Sequence, residues 1–585
     1  MVKRSIFFRL FFILFILIIK NNVIYPQWTQ TEGPFGGYVY SFAFSGSNIF
    51  AGTHDGVYLS TNNGNKWKYS GLINNVIRAL AVNGKNIFAG TSAGVFISAN
   101  NGKKWAQFNE GLSNKDIRAL AFSGNNVFAG TSGGGVFVSS NNGKKWTEMN
   151  SGLNNPVIRS FALTGKNVFT GTIGGGVYLT ADNGRSWKQM NSGLMSRNVF
   201  ALASREEYLI AGTDDGVFIT SDNGVKWEKI NNGITDKNIF ALAVSGPDII
   251  AGTGSGVFIS HNNGRMWERL DSEQMSSNFS ALGVKDNNIY AGTNGHGIYA
   301  KDKNLLNWHQ ASTGLSNSYI RSFVISDSDL VAGTDIGIYF AGNNSGKFNF
   351  PGIGTEHVGS LAVKGIYKCA GTWNGFYLSE TNDTSWVFSG LRKRNIRSLL
   401  VKGALLFAAA EDGVYRTSNN GSDWKLSTHG FTNTNVISLE LKNSDILAGT
   451  GSGIFKSANN GETWSYLGLA NKQISAIAFN EDDLYAGTLG EGLYKSTDNG
   501  KTWNTAGPAG LNIQSIIVKD DIVIFSSLLG GVYLSKDKGL NWIQVNTGLI
   551  DLNATSLIIK GDWIYAGTYG CGIWRRPLND LLHIM

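Results

Sequence analysis

The sequence predicts an all-β chain of tandem β-propellers: fourteen four-stranded blades arranged as two seven-bladed rings. Three observations carry this expectation. A segment of the type Phe-Ala-Gly-Thr returns fourteen times, at spacings of 38 to 41 residues. Short strand-like runs and tight turns fill each interval, without helical periodicity. Glycine is abundant (75 of 585 residues) and proline scarce (7), which suits many hairpins better than a disordered linker.

The unit at residues 76–108 shows the pattern. A first run, Val76 to Val82, ends at Asn83-Gly84; a second covers Asn86 to Thr91 and a third Gly94 to Ser98. After the turn Ala99-Asn100-Asn101-Gly102 a fourth run reads Lys103 to Phe108. Four such strands about every 40 residues make one propeller blade. The apolar residues run on rather than alternate, as expected where a sheet buries both faces.

Fourteen blades exceed the usual four to eight per ring. The turn motif is worn at residues 301–308, 341–348 and 379–386, near the midpoint. This places a seam near residues 309–320, with a first propeller over 28–308 and a second over 309–585; an eight-plus-six split is the alternative. Gln27 to Gln30 reads as an isolated fourth strand, and the chain ends soon after a third strand at Gly572 to Arg576. The first would complete a late blade and cover its edge.

Residues 1–27 stand apart. Lys3, Arg4 and Arg9 precede an apolar run, Leu10–Ile19, too short to span a bilayer comfortably. This is expected to be a signal peptide, with an uncleaved N-terminal anchor as the alternative, and the protein is placed in the periplasm, at the cell surface or outside the cell, with no membrane span once the signal is removed. Beyond residue 27 stand 46 basic and 42 acidic residues, a net charge of +4, which gives no clustered basic face for nucleic acid. The two cysteines, Cys369 and Cys571, cannot build a disulfide framework and are expected to be buried thiols. A monomer without cofactor or metal is expected: seven scattered histidines show no zinc spacing.

The turn after the third strand carries a signature. Ser98-x-Asn100-x-Gly102-x-x-Trp105 recurs from Ser60/Asn62/Gly64/Trp67 to Ser535/Asp537/Gly539/Trp542, ten copies in all, three of them with threonine for serine. It resembles the Asp-box of BNR-type propellers, the group that holds sialidases and sortilin-type receptors. The short regular blades are most similar to the photosystem II assembly and stability factor propellers, a resemblance that implies a non-catalytic factor with a basic patch. In the motif the Asp or Asn side chain should accept backbone N–H bonds, glycine should take positive φ, and tryptophan should fill the gap between sheets. Asparagine at six of the ten acidic positions argues for structural pins, because an amide cannot transfer protons as an acid does.

No catalytic residues are assigned. Arg78, Arg118 and Arg159 hold equivalent repeat positions in three successive blades, and Arg321 and Arg397 do so in the second half. At the mouth of a central channel they could bind an anionic group. The competing reading is inter-blade salt bridging. Acids in the loops after the second strands (Asp55, Asp214-Asp215, Glu411-Asp412, Glu491) are read as solvated, and His296 and Trp373 as loop residues that could face a ligand. The expected function is therefore an exported, non-enzymatic binding or scaffold protein with a protein or glycan partner. The alternative is a two-propeller glycoside hydrolase: xyloglucan-degrading double propellers share this layout, but no positions match their catalytic aspartates, and the sialidase Arg-Ile-Pro tripeptide is absent.

Overall fold

The second strand of every repeat has no face left for solvent, and that fixes the architecture. Asn86–Thr91 is buried from its second residue to its last, and the same pattern recurs in its counterparts around the molecule. A strand buried on both sides needs a sheet on either side of it, so blades must stack in a circle. In the computed structural model described here they do. It describes residues 36–271, 278–286, 288–302, 316–342, 356–380, 385–481 and 483–582, together with 27, 29–30, 309–310, 348 and 353.

Each blade is an antiparallel meander. In blade 2 the strands Ile77–Asn83, Asn86–Thr91, Gly94–Ser98 and Ala106–Gln107 pair in chain order, from the channel outward. The Ala-Gly-Thr element has a reason at each place. Ala89 is fully buried. A Cβ on Gly90 would lie 2.7 Å from Ile117 Cγ2 of the next blade, so only glycine lets the blades close up. The buried Thr91 hydroxyl donates to Gly94 O at 2.9 Å and accepts from Ala93 N, closing the hairpin.

Innermost strands pack side by side in two closed circuits. The first runs through Gly36–Ser45, Ile77–Asn83, Ile117–Ser123, Ile158–Thr164, Val199–Arg205, Ile239–Ser245 and Phe279–Lys285, which packs back on Gly36–Ser45. The second runs from Ile320–Ser326 through Val358–Lys364, Ser398–Lys402, Val436–Lys442, Ile474–Asn480 and Asn512–Lys519 to Ala554–Lys560, which returns to Ile320–Ser326. Two rings of seven blades result. The apolar core lies between blades: Phe88, Val95 and Ile97 of blade 2 pack with Ile117, Phe137 and Trp146 of blade 3. Blade 8 shows three strands among the described residues.

Closure differs between the rings. The first closes between blades 1 and 7, by side-chain packing of Val39, Trp67, Tyr290 and Ile298 and by backbone pairing of Tyr38 with Asn294 and of Gly37 with His296. In the second, Thr29–Gln30 adds the fourth strand to blade 14, pairing with Ile573–Pro577, and Gln30 Nε2 donates to Cys571 O at 2.9 Å. The start of the chain is thus sewn to its end and covers a sheet edge. His309–Gln310 pairs with Ile298–Asp302, so blade 7 runs on past residue 308. Residues 1–26 of the expected signal peptide 1–27, Trp28 and most of the worn turns near the midpoint (303–308, 343–347 and 381–384) lie outside the described residues.

The ten signature turns are pins. In blade 2, Ser98 Oγ donates to Asn100 Oδ1 and accepts from Gly102 N, while Lys104 N donates to Asn100 Oδ1 at 2.8 Å. Both Asn101 (φ 56°) and Gly102 (φ 79°) are left-handed, so the turn uses asparagine as well as glycine there. The tryptophan does more than fill space. Trp105 Nε1 donates to Ser70 O of the preceding blade at 2.9 Å, and Trp146, Trp187 and Trp227 repeat the stitch to Phe108, Met149 and Met190. Cys369 and Cys571 are buried and unpaired. No helix among the described residues is long and apolar enough to cross a membrane.

Candidate functional site

A β-bulge builds the channel wall. In all seven first-ring blades the register of the innermost strand slips at one residue: between Ile77 and Ala79, between Ile117 and Ala119, and likewise around the ring. The skipped residues are Tyr40, Arg78, Arg118, Arg159, Phe200, Phe240 and Ser280. A bulge leaves its extra residue unpaired and re-aims its side chain. All seven line one cavity of about 240 Å³, together with Asn278 and Asn294 of blade 7.

The three arginines therefore meet, as their common repeat position predicts. Their charge is only partly balanced. Asp116 lies 2.7 Å from Arg118 Nη2 and 3.6 Å from Arg78 Nε, and Arg159 has no ion pair among the described residues. Burial, then the Arg118 and Arg78 guanidiniums, push the pKa of Arg159 below its ordinary value; burial and Arg118 do the same to Arg78. Arg159 is open to water within the channel yet ringed by protein, so desolvation and exposure coexist there. The Nε atoms of Arg78 and Arg118 and the Oδ1 atoms of Asn278 and Asn294 are buried without a hydrogen-bond partner. Two cations share one carboxylate and a third has none, so salt bridging alone does not account for the cluster.

The second ring repeats the bulge with other contents: Arg321, Gly359, Ile437, Ser475, Gln514 and Thr555. These and Arg397 line a cavity of about 390 Å³ with Trp373, Tyr319 and Tyr569. Here the arginines do not cooperate. Arg321 sits over the Trp373 ring at 5.0 Å, and Trp373 stacks on His357 at 4.1 Å. Arg397 Nη1 donates to Asn435 Oδ1 at 2.5 Å. Trp373 thus faces this cavity, whereas His296 bridges to the Gly37 backbone between blades 7 and 1.

A third cluster lies where the rings meet. His54 of blade 1 shares a 2.6 Å hydrogen bond with the Tyr319 hydroxyl of blade 8, and Tyr319 stacks on Tyr569 of blade 14 at 4.0 Å. Nearby, ligand atoms of Asp55, Asp551 and Cys571 lie within 4.8 Å of one another, all buried. Burial, with the neighbouring Asp551 charge, raises the Asp55 carboxyl to about 7. Burial, opposed by Arg321, leaves Asp335 at about 6. Asp55 N–H and carboxylate bonds to Thr53 and to Asn74 N tie this acid into the first ring. Nothing in the sequence pattern marks this meeting, because Tyr319 lies 265 residues from His54 and Cys571 lies 516 from Asp55. Asp55 is therefore no solvated loop acid: it is 4 % exposed.

Of the other loop acids, Glu411 is exposed and the remaining four are engaged. Asp215 pairs with Lys229 at 2.7 Å, Asp412 with Arg394 at 3.1 Å, and Glu491 with Lys472. Asp214 accepts from Asn198 Nδ2 at 2.7 Å.

No protein-family model and no curated protein matches the chain. Solved structures do. The GH74 xyloglucanase from Xanthomonas campestris superposes with a TM-score of 0.73 at 15% identity, covering 94% of this chain and 100% of that one. The GH74 enzyme of Niastella koreensis gives 0.70 at 15%, covering 94% and 99%. PorZ, an essential surface component of the type-IX secretion system of Porphyromonas gingivalis, gives 0.59 at 13%, covering 94% and 87%. At these identities the likeness is one of fold.

Proposed function

We propose that this chain is an exported, non-enzymatic binding protein that takes an anionic group of a protein or glycan partner into the channel of its first ring. The observation that supports this reading is the arc of Arg78, Arg118 and Arg159, carrying three guanidiniums against the single carboxylate of Asp116. Guanidinium groups bind carboxylate, sulfate or phosphate through charge-assisted, often paired hydrogen bonds. Calorimetric titration with acetate, phosphate and oligogalacturonate tests it. Binding of at least one anion should weaken about tenfold or more in the Arg78→Ala/Arg118→Ala/Arg159→Ala variant, at unchanged melting temperature. Unaltered binding in the triple variant, or no anion bound by the native protein, overturns the reading.

A second reading, a two-propeller glycoside hydrolase, draws on the raised carboxyls of Asp55 and Asp335 at the ring junction. Such an enzyme needs two carboxyls facing each other across a sugar. Against it stands their burial, 4 % and 3 % exposed, which leaves no path for a polysaccharide. Release of reducing ends from xyloglucan by the purified protein, abolished by Asp335→Asn, would make this reading the better one.

A further inference from the structure

The first-ring channel wall is divided into sectors of different chemistry, in blade order. Blades 2, 3 and 4 contribute Arg78, Arg118 and Arg159. Blades 5 and 6 contribute Phe200 and Phe240, whose rings lie 5.4 Å apart and inclined by 35°. Blade 7 contributes the amide oxygens of Asn278 and Asn294, buried and without a donor. One carboxylate would satisfy the first sector and nothing else. The aromatic pair offers apolar faces that a bare anion leaves unused, and the amide oxygens call for N–H or O–H groups. The volume, about 240 Å³, suits one amino-acid-sized group and is below the range of drug-sized sites.

Resting on the reading that this channel binds an anion, we infer that the ligand is an aromatic amino-acid end: a free α-carboxylate on the arginines, its aromatic ring against Phe200 and Phe240, and its amide N–H directed to Asn278 or Asn294. A free N-acyl amino acid and the C-terminus of a peptide ending in phenylalanine share this chemistry. An acidic sugar shares the carboxylate and hydroxyl parts but meets Phe200 and Phe240 with aliphatic C–H groups instead of an aromatic ring, and so buries less apolar area there.

Calorimetry on the full chain separates these. N-acetyl-L-phenylalanine should bind about tenfold or more tightly than N-acetyl-L-alanine and than glucuronate, and N-acetyl-L-phenylalaninamide, without the carboxylate, should lose binding. The preference for phenylalanine over alanine should shrink in Phe200→Ala/Phe240→Ala. Should that variant fail to fold, Phe200→Leu/Phe240→Leu keeps the apolar volume and should still weaken the preference. A tetrapeptide Ser-Gly-Ser-Phe binding at least as well as N-acetyl-L-phenylalanine identifies the source as a chain terminus; binding of the small acid alone identifies a metabolite-sized ligand. Equal binding of the phenylalanine and alanine compounds, or tighter binding of glucuronate, overturns the inference while acetate binding keeps the anion reading standing. Loss of all anion binding in the native protein takes down both.

Discussion

The two rings are made from one blade and differ in the residues their bulges carry. Around the first channel the bulge residues fall into arginine, phenylalanine and polar sectors. Around the second they include glycine, isoleucine, serine, glutamine and threonine, and the two arginines are drawn off by Trp373 and Asn435. The columns that pack between blades hold almost constant, because each touches the next blade; Gly90 against Ile117 is one case. The bulge column faces the channel instead of the core between blades, and meets its neighbours only through single contacts such as Ser280 Oγ to Val39 O. Where packing does not constrain a repeat, the positions are free to become a site, and only the first ring has gathered three cations there.

The largest effect that would break this contrast concerns binding. The triple arginine variant of the first ring should lose anion uptake, whereas Arg321→Ala/Arg397→Ala should stay within about twofold of the native protein by calorimetry, because those guanidiniums are already engaged. Equal losses from both rings would erase the distinction.

Next in size is a packing comparison. Trp146, 2 % exposed between blades 2 and 3, should cost about 3–5 kcal/mol on replacement by alanine, lowering the melting midpoint. Trp373, 48 % exposed at the second channel, should cost under about 1 kcal/mol in the same experiment.

The ring junction gives a pH signature. Asp55 titrates at about 7 in the folded chain against 3.8 for an ordinary aspartate, so the folded state retains a proton the unfolded state gives up. Its contribution to stability is therefore fully present below the ordinary pKa and falls as pH rises to about 7, by an amount on the order of 4 kcal/mol. Asp55→Asn should flatten that slope and stabilise the protein at pH 8 relative to pH 5, read from melting midpoints across the range. An unchanged slope would show that the charge at the junction is not the cause.

The smallest effect sharpens the difference in closure. Deleting residues 27–34 removes the strand that covers Ile573–Pro577 and should lower the midpoint of the second ring by a few degrees, at roughly 2–4 °C per kcal/mol for a unit of this size. The first ring, closed between blades 1 and 7 without this strand, should melt as before.

Much of this was legible in the chain. Gly90, Thr91 and Trp105 recur because hairpin closure and blade contact demand them locally, and a repeat read once can be read fourteen times. The same alignment put Arg78, Arg118 and Arg159 in one column. It also holds Tyr40, Phe200, Phe240 and Ser280, which carry no charge to set them apart from the apolar residues around them. The sign was there: each follows the first apolar residue of an innermost strand. From its repeat position Asp55 reads as a solvated acid, but Asp551 and Cys571 from the far end of the chain lie against it and it is buried.

By itself, then, the sequence determined the blade, the number of blades and the shared column of arginines, because these follow from short-range turn chemistry and periodic burial. Only the tertiary structure decided that the column lies on a bulge facing the channel, that Phe200 and Phe240 stand around the circle from the arginines, and that the late blade completed by the N-terminal strand is the fourteenth. Those depend on how a circle closes, which brings together residues whose separation along the chain carries no trace of their contact.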